Sequence, residues 1–163
     1  MASGSRYKLQ ALYELREEAL NQARQALADA VEEVRKRQGV VAQRRKELEV
    51  AQEKLQRGMA PPESEAFRAQ DLLFREARLK AQKENVCRAE AALGEALAHL
   101  EEGEREEIEA AAVVRAAQAE LEVLDKHKEK WEENLRRERD KKREEATEES
   151  ALSSSWRQEF EGV

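Results

Sequence analysis

The most restrictive feature of the sequence is an apolar residue that returns at every seventh position. In the first third of the chain the repeat is unbroken and consists of Tyr13, Leu20, Leu27, Val34, Val41, Leu48 and Leu55. It resumes further on, interrupted at Glu107 and Lys128, as Leu72, Leu79, Val86, Leu93, Leu100, Val114, Leu121 and Leu135. A period of seven that does not drift is typical of coiled coils. The sequence therefore predicts two long helices, each with an apolar seam.

A turn between the two repeats is predicted by Gly58 and the adjacent Pro61 and Pro62, which cannot continue a helix. A short turn makes an antiparallel pairing the simplest arrangement. The predicted fold is thus all-α, a long antiparallel two-helix coiled-coil hairpin with an overhanging C-terminal helix. We expect a single elongated domain over residues 1–163, with a helix at 6–57, a turn at 58–64, a helix at 65–149 and a flexible tail at 150–163.

Alanine is the main small residue, with 27 copies among 163 residues. If the helices fold back about Pro61 and Pro62, Val34 lies opposite Ala89, and large seam residues generally face small ones. In that alignment Arg16 meets Glu107, although a shift of one heptad is also compatible with the pattern. Residues after about 118 then lack an opposite helix, and we expect their apolar stripe to need a partner.

The charge pattern bears on the class of function. Thirty basic and 36 acidic residues are interspersed, which disfavours binding to nucleic acid or to an anionic membrane. No apolar run of membrane-spanning length or signal-peptide core is present, so we expect a cytoplasmic protein that is not embedded in a membrane. Isolated histidines, a single cysteine and scattered glycines indicate no catalytic, metal or cofactor site. We therefore expect a protein that is not an enzyme.

Two groups of apolar residues stand out as candidate contact surfaces. Trp131 lies in a strongly charged stretch and either packs against residues 6–9 or anchors the chain in a groove of a partner. Four further apolar residues surround the predicted turn, where they either pack together or form a second, weaker contact surface: Met59, Phe67, Leu73 and Phe74.

Both terminal regions resemble those of a known family. The chain starts with a basic, leucine-containing stretch, Arg6-Tyr7-Lys8-Leu9-Gln10-Ala11-Leu12 to Leu15-Arg16. Near the other end it reads His127-Lys128-Glu129-Lys130-Trp131-Glu132-Glu133, then Leu135-Arg136-Arg137-Glu138, with an acidic tail ending in Glu159-Phe160. Together with the predicted hairpin, these stretches resemble the YscO family of type III secretion stalk proteins, which is similar to the flagellar protein FliJ.

The resemblance implies a cytoplasmic stalk whose paired terminal ends enter a hexameric secretion ATPase, stimulate it and link it to an export-gate protein. It also implies a possible role in escorting secretion chaperones, with no cofactor and a monomeric free chain. The residues expected to face the ATPase are Tyr7, Leu9, Leu12, Leu121, Leu124, Trp131 and Leu135. Two alternatives stay open: a scaffolding coiled coil that dimerises through residues 118–149, and a chaperone that grips clients with the residues around the turn.

Overall fold

The chain folds into two α-helices. A computed structural model of the protein describes residues 7–61 and 68–161, and that part of the chain contains no β-strand. Helix α1 comprises Gln10–Met59 and helix α2 comprises Ala69–Glu161. The all-α class and the two-helix coiled coil are confirmed. The end of the predicted turn and the candidate residue Phe67 lie outside the described residues, and so do residues 1–6 and 162–163.

The helix ends follow from local sequence. Helix α1 begins where the amide of Gln10 donates a hydrogen bond to the carbonyl of Tyr7, at 3.1 Å. It ends just before Pro61, whose ring and missing amide cannot be accommodated within a helix. At the start of α2, the amide of Arg68 donates to Oδ2 of Asp71 at 3.2 Å. The carboxylate of Asp71 thus satisfies an otherwise unpaired amide and suits the positive end of the helix dipole.

The chain divides into two compact units, each containing a piece of both helices. Unit 1 combines residues 1–21 with 115–163, and unit 2 consists of residues 22–114. In both units the pairing is antiparallel, because residue numbers that rise along α1 meet numbers that fall along α2. Arg16 contacts Glu120 in unit 1. In unit 2, Arg37 contacts His99, and the carbonyl of Ala60 contacts Arg75.

Burial follows the heptad pattern. In unit 2 the shielded positions of α2 alternate at spacings of three and four, and they include Leu79, Gln82, Val86, Ala89, Leu93, Ala96, Leu100, Gly103, Glu107, Ala110 and Val114. Unit 1 continues the alternation through Ala117, Leu121, Leu124, Lys128, Trp131 and Leu135. Alternating spacings of three and four are what coiled-coil packing requires.

The predicted alignment of the two helices was wrong by about two heptads. Arg16 was expected opposite Glu107, but its Nη1 lies 2.8 Å from Oε2 of Glu120. Similarly, the guanidinium of Arg37 donates a 2.7 Å hydrogen bond to the carbonyl of His99. These two contacts place the centre of the helix pairing after the two prolines rather than at them.

A shift by whole heptads still places large residues opposite small ones. The heptad pattern alone therefore could not distinguish the observed alignment from the predicted one. Gly103 lies beneath the side chain of Arg37. A Cβ atom added to Gly103 would sit 3.1 Å from Cδ of Arg37. The missing side chain of Gly103 thus makes room for the aliphatic stem of a seam arginine, whose charged end reaches His99.

The C-terminal segment also differs from expectation. Residues 150–161 were expected to form a flexible tail but continue α2 as helix. No glycine or proline occurs between Gly103 and Gly162 to end the helix. The hydroxyls of Ser153 and Ser154 donate to the carbonyls of Ser150 and Ala151, so they bond within the helix rather than compete with it. Every residue from 136 to 161 is exposed.

Candidate functional site

An aromatic cluster joins the start of the chain to α2 in unit 1. The side chain of Tyr7 is buried, with 6% of the residue exposed. Its hydroxyl lies 2.8 Å from Nδ1 of His127, and its ring centroid lies 5.3 Å from that of Trp131, tilted by 53°. This distance and tilt are favourable for an aromatic pair. Trp131 therefore has an apolar neighbour within the chain, as the first of its two interpretations required.

A second tyrosine, Tyr13, extends the same contact region one turn into α1. The ammonium of Lys128 lies 4.9 Å from the centroid of the Tyr13 ring, within range of a cation–π interaction. A hydrogen bond with Asp125 raises the pKa of Tyr13 above its ordinary value of 10.0, with desolvation as the second cause. Tyr13 thus interacts with two residues of α2, the cationic Lys128 at its ring and the anionic Asp125 at its hydroxyl.

A shallow groove lies beside these tyrosines. It is lined by Leu12, Arg16, Glu120, Val123 and Leu124, and we call it the Leu12 groove. Leu12 is 38% exposed and Val123 is 66% exposed, while Arg16 and Glu120 form an ion pair across the groove. The combination of exposed apolar side chains with a rim of both charges can receive an amphipathic protein surface.

The expected ATPase-facing residues all lie in unit 1, but most of them are partly covered. Tyr7 is buried, and Leu9, Leu121, Leu124, Trp131 and Leu135 are half-buried. The idea that residues after 118 lack an intramolecular partner was wrong for 118–131, because the corrected alignment places them against residues 7–16. Of the seven candidates, Leu12 is the most accessible.

The turn end of unit 2 holds the second group of candidates. Three of them are strongly exposed: Met59 at 59%, Leu73 at 67% and Phe74 at 74%. Next to Phe74 is an open groove of about 350 Å³, here called the turn-side groove, which is lined by Arg57, Gly58, Ala60, Asp71, Phe74, Arg75, Arg78 and Leu79. Arg75 donates one exposed hydrogen bond across the helix pair to the carbonyl of Ala60, at 2.8 Å. The three described apolar residues are therefore exposed rather than packed together.

Sequence reasoning missed exposed residues outside the predicted seam. Leu15 and Val123, 64% and 66% exposed, lie on the outer surface of unit 1. At the end of α2, Leu152, Trp156 and Phe160 recur every fourth residue and are 61%, 64% and 77% exposed. The spacing of this last set was visible in the sequence. We did not interpret it as an apolar face, because residues four apart share one side of the chain only if the segment is helical, and this segment was expected to be a flexible tail.

Residues 7–61 and 68–161 contain no cluster of three or more His, Cys, Asp or Glu side chains arranged to hold a metal ion. No helix in the same ranges combines the length and the apolarity that crossing a membrane requires.

Comparison with known proteins finds no match to a family model, to a curated protein or to a solved structure.

Proposed function

We propose that the protein is a non-enzymatic stalk of a type III secretion system. Unit 1 docks in the hexameric secretion ATPase and stimulates it, and the chain links the ATPase to an export-gate protein. The observation that carries the proposal is the contact of Tyr7 with His127 and Trp131. It joins the two terminal stretches on which the resemblance to the YscO family rests.

The physical properties of unit 1 support this role. A paired two-helix segment resists bending better than one helix, as a shaft inside a ring must. Its accessible contacts are the apolar Leu12, Leu15 and Val123, beside the Arg16–Glu120 ion pair. Trp131 and Leu135 contribute mainly by holding the segment together, with part of each side chain left for the partner.

Stimulation of ATP hydrolysis tests the proposal. The type III secretion ATPase of the same organism is assayed alone, with the wild-type chain and with Trp131→Ala/Leu135→Ala. A second variant, Leu12→Ala/Val123→Ala, changes exposed residues and should leave the fold intact. We expect both variants to reduce stimulation at least several-fold.

The control is Val50→Ala/Val113→Ala, which removes exposed apolar groups of unit 2 and should stimulate normally. Circular dichroism must show that each variant retains its helix content. Undiminished stimulation by both folded unit 1 variants would exclude docking through this surface.

Two other functions each have an observation in their favour. Residues 136–161, the last part of α2, are all exposed, as a scaffold that dimerises through its C-terminal region would need. The exposed Leu73 and Phe74 suit a chaperone that holds clients near the turn. Loss of client binding on changing Met59 and Phe74, with retention on changing Trp131, would favour the chaperone. A tight dimer whose stability depends on residues 118–149 would favour the scaffold.

A further inference from the structure

The final turns of α2 carry an apolar face that no described residue of unit 1 covers. Its members Leu152, Trp156 and Phe160, which we call the tail stripe, lie four residues apart and so share one side of the helix. Each is more than 60% exposed. Three large side chains at this spacing are the anchors by which amphipathic helices bind apolar grooves.

The charge around the tail stripe is strongly negative. Residues 144–161 contain six glutamates, and Arg157 is their one basic residue. An anionic lipid surface would repel such a helix, whereas an apolar groove with a cationic rim would attract it. The tail stripe and the charges around it therefore indicate a binding site that is apolar in the middle and positively charged at the edge.

The turn-side groove has that chemistry. Phe74 and Leu79 form its apolar part, and three arginines, Arg57, Arg75 and Arg78, surround it. Asp71 is the one acidic residue among the described residues that line the groove. Arg57 and Arg75 have exposed partners, Glu53 at 3.7 Å and the carbonyl of Ala60 at 2.8 Å. Such exposed contacts are weak and leave donors free for carboxylates of an incoming chain.

We propose that the tail stripe of one copy of the chain binds the turn-side groove of a second copy. The contact is heterologous, because the two surfaces differ, so a bound pair still presents one free stripe and one free groove. It buries one face of about three helical turns, less than a standard interface, so association is weak and the free chain is monomeric at low micromolar concentration. The proposal does not depend on the proposed function.

Sedimentation velocity over increasing protein concentration tests this association. Wild-type chain should show a sedimentation coefficient that rises with concentration, and the rise should weaken at higher salt concentration because the rim contacts are ionic. Two variants should each stay monomeric: Trp156→Ala/Phe160→Ala, which removes the stripe, and Phe74→Ala/Arg75→Glu/Arg78→Glu, which removes the groove. All changed side chains are exposed or half-buried at the helix surface, so helix content should be retained.

Mixing the two variants provides the decisive result. A groove-deficient copy retains its stripe and a stripe-deficient copy retains its groove, so together they should form one 1:1 complex that cannot grow further. The Val50→Ala/Val113→Ala variant is the matched control and should associate like wild type. Self-association by the groove-deficient variant alone would show stripe-to-stripe pairing and overturn the proposal. So would a wild-type chain that stays monomeric at all concentrations, or a mixture that forms no complex.

Discussion

The hydroxyl of Tyr7 lies 2.8 Å from Nδ1 of His127, which joins residues 120 positions apart in the sequence. The Tyr7 ring also contacts Trp131, so the aromatic residue that was the strongest candidate for an external anchor is partly occupied within the chain. Its partner sits just before α1, in a stretch that heptad periodicity does not cover. In unit 1 the two ends of the chain are consequently held together by this aromatic contact as well as by the leucines of the seam.

The two tryptophans provide a direct comparison of this packing. Trp131→Ala should lower the free energy of unfolding by about 2 kcal/mol, because it removes a half-buried aromatic side chain and its pairing with Tyr7. Trp156→Ala removes a side chain that is 64% exposed and should change stability by less than about 0.5 kcal/mol. Urea unfolding followed by circular dichroism measures both, at a concentration where the chain is monomeric. Equal effects of the two substitutions would contradict the packing of Trp131.

The alignment of the helices can be tested by cross-linking in a Cys87→Ser background. Cysteines at Arg37 and His99 should be joined efficiently by a short bismaleimide, because the side chain of Arg37 reaches the carbonyl of His99. Cysteines at Arg37 and Val86, which the fold-back about the prolines would bring together, should not be joined. Thirteen residues along a helix correspond to about 20 Å, beyond the reach of a short linker. Efficient cross-linking of the Arg37 and Val86 positions, without cross-linking of Arg37 and His99, would instead support the fold-back about the prolines.

Three glycines within the helices differ in what an added methyl group would contact. Nothing lies within 4 Å of the Cβ position at Gly39 or Gly94, so alanine there should stabilise the chain by about 0.5–1 kcal/mol through its higher helix propensity. At Gly103 the stem of Arg37 is 3.1 Å away and must move. We expect Gly103→Ala to gain less than the other two, and Gly103→Leu to be clearly destabilising. Thermal unfolding of the four variants would show the order, which equal gains at Gly94 and Gly103 would refute.

The contact of Tyr13 with Asp125 has a consequence at alkaline pH. Because the folded-state pKa of Tyr13 is raised, its contribution to stability is complete below pH 10 and is lost as the pH rises through the folded-state pKa. Asp125→Asn should lower the pKa of Tyr13, since the main cause of the shift is the hydrogen bond with that carboxylate. Absorbance titration of tyrosinate in a Tyr7→Phe background, which isolates Tyr13, measures the difference. An unchanged titration midpoint would show that Asp125 does not cause the shift.

Periodicity predicted the helices and their seams because burial in a coiled coil depends on positions that recur every seven residues. The alignment could not be obtained in the same way. Sliding α2 by two heptads keeps seam positions opposite seam positions, so the periodic pattern is the same in both alignments. The specific contacts that distinguish the two alignments, such as Arg16 with Glu120, involve charged residues that are abundant throughout the chain.

The candidate contact surfaces were only partly predictable for a related reason. Trp131 and Phe74 stood out by residue type, but their exposure depends on the alignment, which buries part of Trp131 and leaves Phe74 open. Val123 does not belong to the seam repeat and gave no periodic signal. The tail stripe was overlooked because its segment is too polar to be recognised as helical without the preceding turns of α2.

The most direct test of the stalk proposal is the stoichiometry of its complex with the secretion ATPase. Native mass spectrometry of the ATPase hexamer mixed with the chain should give one copy of the chain per six ATPase subunits, because a single shaft fills the centre of a ring. The Leu12→Ala/Val123→Ala variant should lose that complex, while Val50→Ala/Val113→Ala should retain it. A wild-type chain that forms no complex with the hexamer, or that binds as six copies, would contradict the account.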